Sequence, residues 1–291
     1  MGNICIIGPR NSGKTTYLAA LAYKMRASKN SKKFNIQPLG DDSKDIAEKA
    51  ENIICQGASF EPNKIGGMTK GVDDLPLYSF NVEIHNSWFT KPDSFQLNVR
   101  DYPGEIFEKI ADPNQSDPNQ SDRDRSDQKI CKEFIDECLM KDVIGCLILL
   151  TAWDRAADAL YNKVMNRFID LMDDRDRTKD FRLAVAMSKS ERGELWSGRL
   201  DPETDLFRLH LPNTTDTLRN SRILSQSLVR FYAISTFGVL DRNDPRPNRI
   251  DERGKYGKAS VLRHTKSWKP YNLIEPLHWL SQTTKSNEKV K

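Results

Sequence analysis

The sequence predicts an α/β fold of three layers on a mostly parallel sheet. Short apolar runs recur along the chain, amphipathic helical stretches alternate with them, and Val143–Thr151 is apolar on both faces, as a central parallel strand must be. The chain has 291 residues, 30% charged and 37% hydrophobic, with a net charge of +4. The longest apolar run, Cys146–Leu150, is far short of the roughly 20 residues a membrane span needs. A charge of +4 does not by itself argue for nucleic acid. Five scattered cysteines with no CxxC spacing and four isolated histidines give no zinc pattern and fit a reduced, cytoplasmic setting. No secretory signal is visible. Met1-Gly2-Asn3-Ile4-Cys5 suggests acylation, but Ile6 stands where that motif wants Ser or Thr.

Taken in order, Asn3–Ile7 reads as a buried strand, and Lys14–Ala27 as a helix with Leu18, Leu21, Ala22 and Met25 on one face. Residues 28–77 are mixed, with a helix over Asp45–Cys55 and a Gly-, Pro- and Asp-rich loop over Glu61–Pro76. Tyr78–His85 and Phe95–Asp101 alternate apolar and polar residues across a short link, which predicts an antiparallel pair. Asp112–Asp127 holds DPNQS twice and then DRDRSD, and is expected to be disordered. Helices are expected over Ile130–Lys141, Trp153–Met172, most of Leu206–Arg230 and Asn272–Gln282, and strands over Phe181–Met187 and Phe231–Ser235. Residues 241–270 read as a long basic loop.

Gly8-Pro9-Arg10-Asn11-Ser12-Gly13-Lys14-Thr15 fits GxxxxGK[ST], with an apolar strand before it and an amphipathic helix after it. The glycines permit a tight turn whose backbone N–H groups, through Ser12, Gly13, Lys14, Thr15 and Thr16, converge on phosphate at a helix N-terminus. Lys14 is expected to reach the β- and γ-phosphates, and Thr15 to ligate Mg²⁺. The strand Phe95–Arg100 delivers Asp101-Tyr102-Pro103-Gly104, which reads DxxG. Asp101 suits a second Mg²⁺ contact, and the Gly104 N–H suits the γ-phosphate.

GPRNSGKT, DYPG and their order resemble the Ras-like, translation-factor class of P-loop GTPases, over most of residues 1–240. More narrowly, GPRNSGKTTYLAAL with RDYPGE resembles the prokaryotic double-GTPase-like domains of bacterial conflict systems. The resemblance implies a P-loop NTPase fold with a six-stranded sheet, one strand antiparallel. It implies a domain over 1–240 interrupted at about 112–127, with the basic loop and closing helix of 241–291 packed on it. It further implies GTP or GDP as ligand. The class reads its base with [NT]KxD; here Ser188-Lys189-Ser190-Glu191 follows the strand. Lys189 could lie along the base, and Glu191 could accept from guanine N1 and N2. Ser235 stands where a further base contact is made. The altered motif leaves ATP as an alternative to GTP.

Glu105 holds the place where the class often has the water-orienting Gln, so hydrolysis should be slow. Arg10 and Arg100 are counter-charge candidates, or else solvated or paired. Asn11 resembles the Asn of potassium-dependent GTPases, where it helps hold K⁺; its role as an adaptable turn residue is the better-supported reading. Thr69 is the best-placed switch threonine for Mg²⁺. From Arg242 to Lys291 there are 12 Lys or Arg against 5 Asp or Glu, with Trp268, Tyr271 and Trp279 among them. Trp279 falls in step with Ile274, Leu277 and Leu280 on a helical face, so a solvated loop and a protein partner are better supported than nucleic acid. A guanine-nucleotide switch acting on a partner protein is the leading expectation, ahead of an ATPase or a nucleotide-bound scaffold.

Overall fold

A computed structural model describes residues 3–27, 34–57, 75–85, 93–100, 102, 104–111, 122–254 and 257–282. The chain begins with β1 (Asn3–Ile7), α1 (Lys14–Ala27), β2 (Phe34–Leu39), α2 (Asp41–Gln56), β3 (Leu77–Ile84) and β4 (Asp93–Arg100). It continues with α3 (Gly104–Ile110), α4 (Asp122–Cys138), β5 (Val143–Leu150), α5 (Arg155–Asp173) and β6 (Arg182–Met187). The last third holds α6 (Arg208–His210), α7 (Pro212–Asn220), β7 (Val229–Ala233), β8 (Arg249–Gly254), β9 (Gly257–Leu262) and α8 (Glu275–Ser281).

Strands β1, β5, β6 and β7 form a parallel sheet in the order β1-β5-β6-β7. Its pleat sorts side chains by parity. Cys146, Ile148 and Leu150 join a core with Phe107, Phe134 and Phe168 of α3, α4 and α5. Leu147 and Leu149 join the other core, with Leu18 and Leu21 of α1, Ile46 of α2 and Leu277 of α8. A strand must be apolar throughout to serve two cores.

The helix ends follow local chemistry. Asp154 caps α5 by accepting from the Ala157 N–H at 2.9 Å. Helix α2 carries Asp41 and Asp42 in its first turn, favoured by the helix dipole, and stops at Gly57, left-handed at φ 68°. Buried Asp158 caps the start of α7 through the Asn213 and Thr214 N–H groups at 3.0 and 2.9 Å.

The expected β3–β4 antiparallel pair is present, Tyr78 opposite Val99 and Phe80 opposite Leu97. Among the described residues the expected single six-stranded sheet is not formed. The parallel sheet has four strands, and β2-β3-β4 form a separate antiparallel sheet. Strand β4 runs beside β1, where the Asn98 side-chain amide donates to Asn3 Oδ1 at 2.6 Å. Strand β2 went unforeseen because Phe34-Asn35-Ile36-Gln37-Pro38-Leu39 carries an internal proline, which is tolerated at this sheet's edge.

Two further expectations are corrected. Helix α4 starts at Asp122, so 122–127 is helical rather than disordered; 112–121 lies outside the described residues. The expected basic loop contains the β8–β9 hairpin, whose β9 packs on α2. Leu206–Arg230, expected to be mostly helical, holds the end of a π-helical turn, α6, α7 and a 3₁₀ turn. None of the five cysteines is in a disulfide, and among the described residues no helix is long and apolar enough to cross a membrane.

Candidate nucleotide site

Strand β1 ends at Ile7 and the chain turns through Gly8–Gly13 into α1. The Ser12 N–H donates to the Pro9 carbonyl at 3.2 Å, and the Tyr17 N–H to that of Gly13 at 2.8 Å, closing the turn and starting the helix. Asn11 and Gly13 are left-handed, at φ 59° and 89°. Gly13 adopts this freely, and Asn is among the residues that tolerate it. Asn11 therefore fills the turn role. Lys14 is buried; its ammonium donates to the Gly8 carbonyl at 2.8 Å and the Pro9 carbonyl at 3.3 Å. The cation is thus folded over its own loop. Ser12 is also buried, and its Oγ has no hydrogen-bond partner among the described residues.

Two other loops meet this one. At Gly104, the first residue of α3, a Cβ would lie 2.3 Å from Arg10 N and 2.4 Å from Arg10 Cα. Only glycine lets the backbones approach this closely. Beyond it, Glu105 Oε1 pairs with Arg10 Nη2 at 2.5 Å, so the two hydrolysis candidates neutralise each other across the gap. Helix α4 fixes this segment. Arg100 Nε donates to Glu137 Oε1 at 2.7 Å, and the Tyr102 hydroxyl donates to the other Glu137 oxygen. Both neighbours of Asp101 are therefore tied to one carboxylate, and Arg100 is paired rather than free. Asp101 and Thr69 lie outside the described residues.

The third loop follows β6. Ser188 Oγ donates to the Leu150 carbonyl at 2.9 Å, tying the loop to the end of β5. Lys189 is left-handed at φ 58°, and its Nζ donates to the Asn11 carbonyl at 2.5 Å. A non-glycine residue there costs on the order of 1 kcal/mol, so the surrounding structure is holding it in place. Burial, then the charges of Arg192 and Arg249, push the Lys189 ammonium down to about 8.

Glu191 is only 1% exposed. Its Oε2 accepts from Ser235 Oγ at 2.7 Å and its Oε1 from Arg249 Nη1 at 3.1 Å. Gly8, Asn11, Lys14, Gly104, Glu105 and Lys189 thus come together. Glu191 and Ser235 meet each other beside Lys189. Sequence reasoning missed Arg249 and Glu137. The local signal for the hairpin carrying Arg249 was the closely spaced pair Gly254 and Gly257, in a segment read as solvated loop. Nothing local to Glu137 marks it, because its partners lie 35 and 37 residues away.

Among the described residues no cluster of three His, Cys, Asp or Glu side chains could hold a metal.

No protein-family model and no curated protein matches the chain. Among solved structures it is similar to the signal recognition particle receptor SRb-GTP/SRX complex from Chaetomium thermophilum. The identity is 13%, over 82% of this chain and 92% of that one, with a TM-score of 0.34. A structure of Sup35 complexed with GDP is 11% identical over 83% of this chain, with a TM-score of 0.31; the match spans 39% of the Sup35 chain. Similarity of this degree leaves the functional reading to the loop geometry.

Proposed function

We propose that the chain is a guanine-nucleotide-binding switch of the P-loop GTPase kind, which hydrolyses GTP slowly with Mg²⁺ and regulates a partner protein. One observation carries the reading: Gly104 is pressed onto Pro9–Arg10, so a DxxG loop touches a GxxxxGKT loop at its backbone. A group bound at Gly8–Thr15 would then lie within reach of both.

Lys14 would exchange the Gly8 and Pro9 carbonyls for β- and γ-phosphate oxygens, while the N–H groups of Ser12 to Thr16 cradle them. Thr15, Asp101 and Thr69 would hold Mg²⁺, which when bound neutralises charge on those oxygens. The Gly104 N–H would sense the γ-phosphate, and Glu105 would orient water. Arg10 offsets the Glu105 charge, but a salt bridge with one partner more than half exposed is weak. Hydrolysis is therefore slow. The Asn11 carbonyl is already bound to Lys189, so a K⁺ contribution would use the Asn11 side chain; rates compared in K⁺ and Na⁺ test it. ATP is the second reading, favoured by the partners that Glu191 already has within the chain.

Residues 61–71 and 102–111 are expected to exchange amide hydrogens faster with GDP than with GTP, while β5 and β6 stay unchanged. Identical protection of both loops would remove the switch and favour a scaffold.

Lys189 supplies a second expectation. A polyphosphate beside Asn11 favours its charged form and raises a pKa now near 8. Binding at pH 8.5 should therefore take up protons, read as a buffer-dependent calorimetric enthalpy. Lys189→Met should remove that part of the dependence. Equal buffer dependence in both proteins would place Lys189 away from the phosphates.

A further inference from the structure

The carboxylate that would read the base is satisfied from within the chain, by a residue 58 positions away. Arg249 opens β8 and is 7% exposed. Its Nη1 donates to Glu191 Oε1, and its Nη2 donates to Asp251 Oδ1 at 2.6 Å. The hairpin holds it there: β9 packs on α2, where Val261 is buried and would be met by any Cβ added at Gly57. The arginine is thus placed by the hairpin and not by the loop carrying Glu191. In that same loop Ser190 is fully buried, and its Oγ has no hydrogen-bond partner among the described residues.

Guanine presents adjacent donors, N1–H and N2–H₂, where adenine presents an acceptor and a carbon. A bare carboxylate favours guanine because it only accepts. Here Arg249 Nη1 supplies one such donor to Oε1 and the Ser235 hydroxyl supplies the other to Oε2, and the guanidinium also cancels the carboxylate charge.

We propose that Arg249 is a specificity-determining residue. By donating to Glu191 it stands in for the guanine edge and narrows the difference between GTP and ATP. This rests on the nucleotide-binding reading above, and it adds a device that no local motif reveals: base selectivity set by the β8–β9 hairpin. Segments that move the hairpin on α2 would then retune the choice of base.

The test uses the full chain, with wild type, Arg249→Ala and Arg249→Gln compared by competition calorimetry against GTP, ATP and inosine triphosphate. Inosine keeps N1–H and lacks the N2 amino group. Losing a charged hydrogen-bond partner commonly changes affinity tenfold or more, so the GTP-to-ATP affinity ratio should rise about tenfold in Arg249→Ala. Inosine triphosphate should fall between the two. Arg249→Ala leaves Glu191 buried without its ion-pair partner and could unfold. Arg249→Gln keeps a neutral donor, and its ratio should rise by a smaller factor. An unchanged ratio in whichever variant folds overturns the proposal. A lower ratio also overturns it, since Arg249 would then itself be reading guanine. Wild type that binds none of the three triphosphates defeats the underlying nucleotide reading instead, and the two failures are distinguishable.

Discussion

Lys14→Ala is expected to lower triphosphate affinity at least about 100-fold, the scale of one or two charge-assisted hydrogen bonds in a water-poor site. The geometry explains why no neighbour compensates. The Lys14 ammonium lies folded over the loop on the Gly8 and Pro9 carbonyls, within the turn that would cradle phosphate. Arg10 points to Glu105 and Lys189 to the Asn11 carbonyl, so each nearby cation has its own partner. The fold should survive, because the loop keeps its Ser12-to-Pro9 bond and α1 its start at Gly13. Calorimetry beside a melting curve checks both halves. Unchanged affinity in a folded variant would end the nucleotide reading.

Gly104→Ala should be the more damaging change to the switch. Its Cβ would meet backbone atoms, Arg10 N at 2.3 Å and Pro9 C at 2.8 Å, which cannot rotate away as a side chain could. Overpacking of this kind costs about 1–3 kcal/mol, a loss of several degrees in Tm. The functional loss is the larger one, because relief of the clash moves α3 off the phosphate loop and takes the 104 N–H and Glu105 with it. Hydrolysis should fall at least about tenfold, and the preference for GTP over GDP should shrink. Measuring single-turnover hydrolysis and both affinities tests this. Wild-type hydrolysis with an intact GTP/GDP preference would show that Gly104 serves packing alone.

What the sequence made legible follows from the range of the interactions. The parallel strands declared themselves because Val143–Leu150 must be apolar on two faces, and the phosphate loop because its chemistry is contiguous. The β3–β4 pair was visible in the alternation of Tyr78, Phe80 and Val82 against Phe95, Leu97 and Val99. Strand β2 was obscured by Pro38, and the start of α4 by a run of Asp and Arg that is polar all round. The hairpin vanished into a basic composition in which Arg249, Arg253 and Lys258 looked like solvent-facing charge. Glu191 shows the same limit: its position suggested a base contact, but only the fold reveals that Ser235 and Arg249 already donate to it.

The central claim is that the three loops form a guanine-nucleotide site. It is tested most directly by displacing a fluorescent GTP analogue from the purified chain, in Mg²⁺, with unlabelled GTP, GDP and ATP. The account predicts displacement by GTP and GDP at lower concentrations than by ATP, with a modest margin because Arg249 donates to Glu191. Equal or better displacement by ATP would contradict it and make the chain an adenine-nucleotide protein.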